Sequence, residues 1–146
     1  MKELLLMCLI AGRRAAIPAV QVQSVIEIEA VTPIPGAADF IVGLTALRSQ
    51  ALTVIDCRVS LGFRPSDRVI GSRAAVIEHE GHQYALVVDE AFDVTEALAE
   101  PVELPGGFGE GWGRATRGMV ETETGPVLLI DAVQLLHGPC PASEAA

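Results

Sequence analysis

The sequence contains few aromatic residues, few basic residues and no long uninterrupted apolar run. Aromatic residues make up 4% of the 146-residue chain, so aliphatic side chains must fill its core, which favours short β-strands. Ten Lys and Arg oppose 19 Asp and Glu, for a formal net charge of −9, and no basic cluster could neutralise a phosphate backbone. These shortages argue against nucleic-acid binding, binding to an anionic membrane surface and direct membrane insertion.

The sequence also lacks any paired cysteine spacing. Its three cysteines are an odd number, and Cys8 and Cys57 lie inside apolar runs, where a thiol packs as a small hydrophobic group. This pattern predicts a reducing, cytoplasmic environment. The apolar run at residues 4–11 is short, and arginines follow it where a secretion signal would need small residues. It therefore predicts a buried opening strand.

Two parts of the chain resemble each other and indicate an internal duplication. Residues 16–36 and 85–106 both alternate apolar and polar positions and end on Pro-Gly, at a shift of about 69. Residues 51–61 align with residues 126–136 at a shift of 75. Similarity over nearly the whole chain predicts two repeated units. The repeats span about residues 4–63 and 73–137 of a single domain, residues 1–146, with a flexible tail at residues 138–146.

Each repeat has the pattern of five short strands followed by a helical turn. Asp56 and Asp131 precede the two helical turns and are predicted N-caps. Hairpin turns are predicted at Ser49-Gln50 and Thr124-Gly125. A unit of about 60 residues forms a marginal core, so the two units should pack together as two small barrels. The predicted strands are residues 4–11, 14–18, 24–31, 41–47 and 51–55, then 73–79, 83–88, 91–97, 117–122 and 126–130.

No arrangement of residues typical of catalysis emerges from the sequence. His79 and His82 flank a turn glycine, and an exposed polar hairpin explains them better than a metal site with nearby carboxylates. The glycine-rich residues 106–113 lack the Lys-Ser/Thr of a phosphate-binding loop, which predicts a flexible surface connection. Within it, Trp112 either packs onto the core or is available to a partner. We therefore predict no enzyme activity, cofactor or metal, with an enzyme using the two histidines as a weaker alternative.

Residues 42–58, VGLTALRSQALTVIDCR, resemble the signature of the CheW-like family. The family pattern is Gly-Val-x-Asn-Leu-Arg-Gly, three residues, then Pro-Val-Ile-Asp-Leu-Arg. Upstream, residues 16–35 are similar to the family segment that runs from Ala-Ile-Pro to Thr-Pro-x-Pro, and residues 85–94 are similar to its Gly-Leu-Val-Val-Asp segment. The resemblance covers roughly residues 4–137. The positions that match the signature are Gly43, Leu47, Arg48, Val54, Ile55, Asp56 and Arg58.

The resemblance implies a mainly β fold of two interlocked, five-stranded SH3-like barrels with short helices. It implies a non-catalytic adaptor that couples the cytoplasmic tips of methyl-accepting chemoreceptors to the regulatory domain of a CheA-type histidine kinase. Such a protein would be cytoplasmic, at the inner face of the membrane, monomeric alone and assembled into arrays with its partners. A small-ligand-binding or accessory regulatory β-domain outside chemotaxis is the alternative.

By the same resemblance, the receptor contacts fall on Val22, Val25, Gly43 and Arg48, in a groove between the two lobes. An apolar groove accepts the apolar stripe of a helix, although the two valines could also be ordinary core. Gly43 would allow close approach of a helix, so Gly43→Trp is expected to block binding and leave the fold intact.

The chain departs from the family pattern close to these positions. Ala46, Ser49, Thr53 and Cys57 replace the usual Asn, Gly, Pro and Leu. At residue 24 a serine stands where many relatives carry a Glu that could pair with the signature arginine, and Glu27 is a possible substitute for that partner.

Overall fold

The computed structural model describes residues 3–138, which form ten β-strands and three short α-helices. No helix in this part of the chain is long and apolar enough to cross a bilayer. Residues 139–146 of the predicted tail lie outside the described residues. The strands are β1 (Leu4–Ile10), β2 (Arg13–Pro18), β3 (Val22–Glu27), β4 (Ile41–Leu47), β5 (Gln50–Asp56), β6 (Arg73–His79), β7 (His82–Val87), β8 (Glu90–Glu96), β9 (Thr116–Thr122) and β10 (Gly125–Ile130), and the helices are α1 (Cys57–Ser60), α2 (Glu110–Ala115) and α3 (Ala132–His137).

The strands form two five-stranded sheets, which confirms the predicted mainly β fold. One sheet, barrel A, has the order β8-β1-β2-β10-β9, and the other, barrel B, has the order β3-β6-β7-β5-β4. Each barrel contains strands from both sequence repeats. Four strand pairs join the two repeats: β2–β10 and β5–β7 are parallel, whereas β1–β8 and β3–β6 are antiparallel, as are the pairs within each repeat. A repeat of the sequence is therefore divided between the two barrels.

Each sheet closes through a short backbone contact after its edge strand. Thr32 bridges Leu44 in barrel B, and Val102 bridges Met119 in barrel A. The third strand consequently ends at Glu27, earlier than the predicted residue 31, because the chain leaves β6 there to reach β4.

Three apolar clusters make up the described core. One fills the interior of each barrel, and the largest lies between them, with side chains from both sheets. Alternation along β1 shows the division: Leu5 and Met7 face the interior of barrel A, whereas Leu6, Cys8 and Ile10 face barrel B. The interface between the barrels is thus a continuous core, which makes them one folding unit.

The N-cap prediction is correct in one repeat and wrong in the other. The Asp56 carboxylate accepts a hydrogen bond from the Arg58 backbone N–H at 3.0 Å and caps α1. The Asp131 side chain makes no capping hydrogen bond to α3. The β4–β5 turn lies at Arg48 and Ser49, both with positive φ, one residue before the prediction.

The prediction of a flexible connection at residues 106–113 is wrong for its second half. There the chain forms α2, and Trp112 is fully buried in the core between the barrels, 6.5 Å from the Phe63 ring. Gly111 permits this packing, because a Cβ at that position would lie 1.8 Å from the Leu61 carbonyl oxygen. Trp112 therefore belongs to the core.

Candidate protein-interaction groove

Edge strands β3 and β8 flank the core between the barrels, and we call the apolar surface between them the β3–β8 groove. β3 is the edge of barrel B beside β6, β8 is the edge of barrel A beside β1, and β8 also contacts β6. The buried floor comes from Leu6 of β1 and Ala75 of β6. The walls are formed by Val22 and Val25 of β3 and by Ala91 and Val94 of β8.

Register places these wall residues on the groove side of their sheets. Val25 lies opposite Ala75, and Val94 lies opposite Leu6, so each wall residue shares a sheet face with a floor residue. Val25 is 38% exposed and Val94 is 52% exposed, and Leu4 at the end of β1 is 51% exposed. Exposed aliphatic side chains on the sheet faces that turn toward the core between the barrels mark a surface suited to a partner.

The structure brings together two of the four residues predicted as receptor contacts. Val22 and Val25 lie on the same groove wall. Val22 is half-buried and packs against the core between the barrels, whereas Val25 is accessible. Val22 is therefore part core and part wall.

Gly43 lies elsewhere, at the closure of barrel B. It is buried in β4, and a Cβ built on it would stand 2.3 Å from the Thr32 carbonyl oxygen and 2.7 Å from a Val31 methyl carbon. Its φ of 154° also disfavours a side chain. The expectation that Gly43→Trp leaves the fold intact is at odds with this geometry, because the strand-closing segment occupies the space that an indole would need.

Arg48 is exposed at the tip of the β4–β5 hairpin, outside the groove. The proposed partner Glu27 lies opposite Arg73 in the β3–β6 ladder, and no ion pair joins Arg48 to Glu27 among the described side chains. Arg48 is therefore accessible at this tip, apart from Val22 and Val25.

Sequence reasoning missed the second wall of the groove. Val94 follows Val25 by 69 positions, the shift that relates the first halves of the two repeats. The duplication was therefore a signal that could have found it. Exposed Leu4 was missed because the apolar run around it predicts a wholly buried strand.

An ion pair between Arg58 and Asp89 joins the two barrels just after the C-terminal end of β7, and we call it the Arg58–Asp89 clasp. The Arg58 guanidinium donates to both Asp89 carboxylate oxygens at 2.9 Å, and the Gly12 backbone N–H donates to the same carboxylate at 3.2 Å. The hydrogen bonds to Asp89 raise the pKa of Arg58 above its ordinary value. Because α1 follows barrel B and the β1–β2 turn belongs to barrel A, this carboxylate ties both barrels to the chain crossing between them.

The histidines and cysteines of the described residues lie apart from any candidate metal site. No group of three or more His, Cys, Asp or Glu between residues 3 and 138 could hold a metal ion. His79 and His82 face each other across the β6–β7 hairpin, and His79 approaches Glu80 only to 3.9 Å. Burial raises the pKa of the Cys8 thiol to about 12 and that of Cys57 well above its ordinary value, so both thiols remain protonated and unreactive.

Comparison with known proteins agrees with this architecture. The CheW-like domain model matches residues 4–139. "Chemotaxis protein CheW" of Bacillus subtilis is 27% identical over 135 residues, covering 92% of this chain and 86% of the relative. The crystal structure of the scaffolding protein TtCheW from Thermoanaerobacter tengcongensis superposes with a TM-score of 0.77 at 22% identity and 90% coverage of both chains. The chain therefore belongs to the CheW-like domain family, and a chemotaxis coupling adaptor is the role that this membership supports.

Proposed function

We propose that this protein is a non-catalytic cytoplasmic adaptor that holds the tip of a methyl-accepting chemoreceptor in the β3–β8 groove and also binds the regulatory domain of a CheA-type histidine kinase. The observation that carries the proposal is the exposure of Val25, Val94 and Leu4 on the sheet faces that turn toward the core between the barrels. Receptor tips are helical, and an amphipathic helix buries its apolar stripe in such a trough.

In this proposal, the role of each receptor-contact residue follows from its position in the fold. Val22 and Val25 contact the receptor directly, and Val94 completes the opposite wall. Arg48, exposed on its hairpin tip, serves as a peripheral charged contact. Gly43 acts indirectly by keeping barrel B closed.

The groove is tested by substituting one exposed wall residue. Val25→Asp introduces a charge into the trough and should weaken binding of a chemoreceptor cytoplasmic-tip fragment at least tenfold, measured by calorimetry. Val102→Asp is the matched control, because Val102 is 63% exposed at the closure of barrel A. Circular dichroism should show both variants folded. Equal loss in both variants, or none in either, would contradict the assignment of the groove.

The adaptor role requires a second partner as well. A kinase regulatory domain should be captured by the wild-type protein and by Val25→Asp alike, since the kinase contact lies outside the groove in this proposal. Capture of neither the kinase domain nor the receptor tip would refute the coupling role and favour the alternative regulatory domain. Cavities of about 370 and 420 Å³ beside the glycine-rich segment would then be the surfaces to examine for a ligand.

A further inference from the structure

The two ends of the β3–β8 groove differ in charge, although the duplication relates its two walls. Val22, Val25 and Glu27 on β3 correspond to residues 69 positions later on β8. Those counterparts are Ala91, Val94 and Glu96. If the repeats were identical, the groove would look the same to a helix entering in either direction.

The walls run in opposite directions along the groove. β2 ends at Pro18, opposite Leu5, and only a short 3-10 turn separates Pro18 from Val22. The beginning of β3 therefore lies at the end of the groove where Leu4 pairs with Glu96, the last residue of β8. At the other end, β3 finishes at Glu27, opposite Arg73. The Arg73 carbonyl accepts a hydrogen bond from the Val88 N–H just before β8 begins.

The two ends of the groove consequently carry different charged and apolar side chains. At one end the exposed Glu27 lies opposite the exposed Arg73 in the ladder, so an anion and a cation share one sheet face without forming a close ion pair among the described side chains. At the other end Leu4 stands in the position equivalent to Arg73, and exposed Glu96 lies opposite it. Arg117 is 3.9 Å from Glu3, and strand alternation directs Glu3 to the face away from Leu4. Glu96 therefore has no cation opposite it in the ladder, whereas Glu27 has Arg73.

From this asymmetry we infer that a cation on the helix sets the direction in which the groove accepts it, with a Lys or Arg of the helix beside Glu96 and an apolar residue on Leu4. The inference rests on the proposed function, in that the groove is a helix site. β3 spans about 17 Å from Val22 to Glu27 at 3.3 Å per residue, which matches about 11 helical residues. The recognised segment is thus about three turns of amphipathic helix, with an apolar stripe that has a cation at one end.

The direction of the bound helix is measured with a synthetic amphipathic helical peptide of three to four turns. This peptide carries one Lys and one nitroxide label at the same end. In NMR titrations of the isotopically labelled protein, the nitroxide should broaden the Leu4 methyl signals more strongly than those of Val25. Moving the Lys to the opposite end, with the nitroxide left in place, should reverse this pattern. Equal broadening of both residues with either peptide would show two bound directions and overturn the inference.

Charge variants test the same point without a label. Glu96→Lys should weaken binding of the Lys-bearing peptide about tenfold, whereas Glu27→Lys, the repeat-equivalent control, should change it less than twofold. If Val25→Asp abolishes peptide binding and Glu96→Lys has no effect, the groove stands and the directional inference falls. If Val25→Asp also has no effect, the proposed groove itself fails. Concentration-dependent shifts of the same methyl signals without peptide would identify a second copy of this chain as the occupant, which also overturns the inference.

Discussion

Gly43 and Gly118 occupy equivalent positions in the two repeats and serve the same steric purpose. A Cβ at Gly43 would lie 2.3 Å from the Thr32 carbonyl oxygen, and one at Gly118 would lie 2.2 Å from the Val102 carbonyl oxygen. At both sites the closing segment of a barrel crosses directly over the strand. The glycine of the family signature is thus explained in this chain by barrel closure.

Gly43→Ala should lower the free energy of unfolding by about 2 kcal/mol or more, because the new methyl group meets backbone at a strained φ. Urea denaturation followed by circular dichroism measures the change. Gly106→Ala is the control, since no atom lies within 4 Å of its Cβ position, and it should change stability by less than about 0.5 kcal/mol. Equal urea midpoints for the two variants would show that the closing segment of barrel B accommodates the extra methyl group at little energetic cost.

The buried thiols should make the protein less stable in alkaline solution. Their pKa values are raised in the folded state, to about 12 for Cys8, so the folded protein keeps thiol protons that the unfolded chain releases above about 9. Their stabilising contribution is complete below that pH and declines as the pH rises toward 12, by up to about 1.4 kcal/mol per pH unit for each thiol.

Urea denaturation at a series of pH values between about 8 and 10.5 measures this decline. A Cys8→Ala/Cys57→Ala variant should have a shallower slope above pH 9 than the wild type, although it starts from a lower stability because of the lost packing. Parallel slopes would mean that other groups cause the alkaline loss.

At the scale of elements, the residues that precede α1 and α3 are equivalent in the two repeats but have different structural roles. Asp56 is buried, and besides capping α1 its carboxylate accepts hydrogen bonds from the Ser66 N–H and hydroxyl, each at 2.9 Å. Asp131 has the same place before α3, yet its side chain caps nothing. The difference arises because the loop after α1 folds back over Asp56.

Asp56→Ala should therefore cost about 2–3 kcal/mol of unfolding free energy, since it removes a cap and leaves two Ser66 donors without their acceptor. Asp131→Ala is the matched comparison and should cost less than about 0.5 kcal/mol. Thermal or urea denaturation of the two single variants compares them directly. Similar losses would contradict the unequal roles assigned to the two aspartates.

α2 is the element that sequence patterns could not predict. Glycine disfavours helix, and residues 106–113 have no apolar periodicity. The helix exists because Trp112 buries its ring in the core between the barrels, and that burial outweighs the low propensity. The strands, in contrast, carry their own period-two signal and glycine turns, so local reasoning located them.

At the scale of the whole molecule, the two repeats are exchanged between the barrels. β1 and β2 of the first repeat lie in barrel A with β8, β9 and β10, and β6 and β7 of the second repeat lie in barrel B. Neither repeat contains a complete sheet. The Arg58–Asp89 clasp and the continuous core then hold the crossing segments together.

Fragments 1–68 and 69–146 should each be unfolded as monomers, because each lacks the strands that complete its sheets. Mixing them should restore the β-sheet circular dichroism spectrum and dispersed amide NMR signals. Sedimentation analysis separates this complementation from pairing of two identical fragments. A dispersed spectrum from either fragment as a monomer would contradict the interlocked architecture.

The sequence by itself determined the mainly β class, the approximate positions of the ten strands and the family, and it predicted an internal duplication and a contact role for Val22 and Val25. Those features depend on local alternation, turn residues and motif order, which are readable along the chain. Only the tertiary structure decided that the strands exchange between barrels, that Gly43 supports closure, and that Val94 and Leu4 are exposed on the same sheet face. These outcomes depend on contacts between residues distant in the chain, and the local pattern around each residue does not encode its distant neighbours.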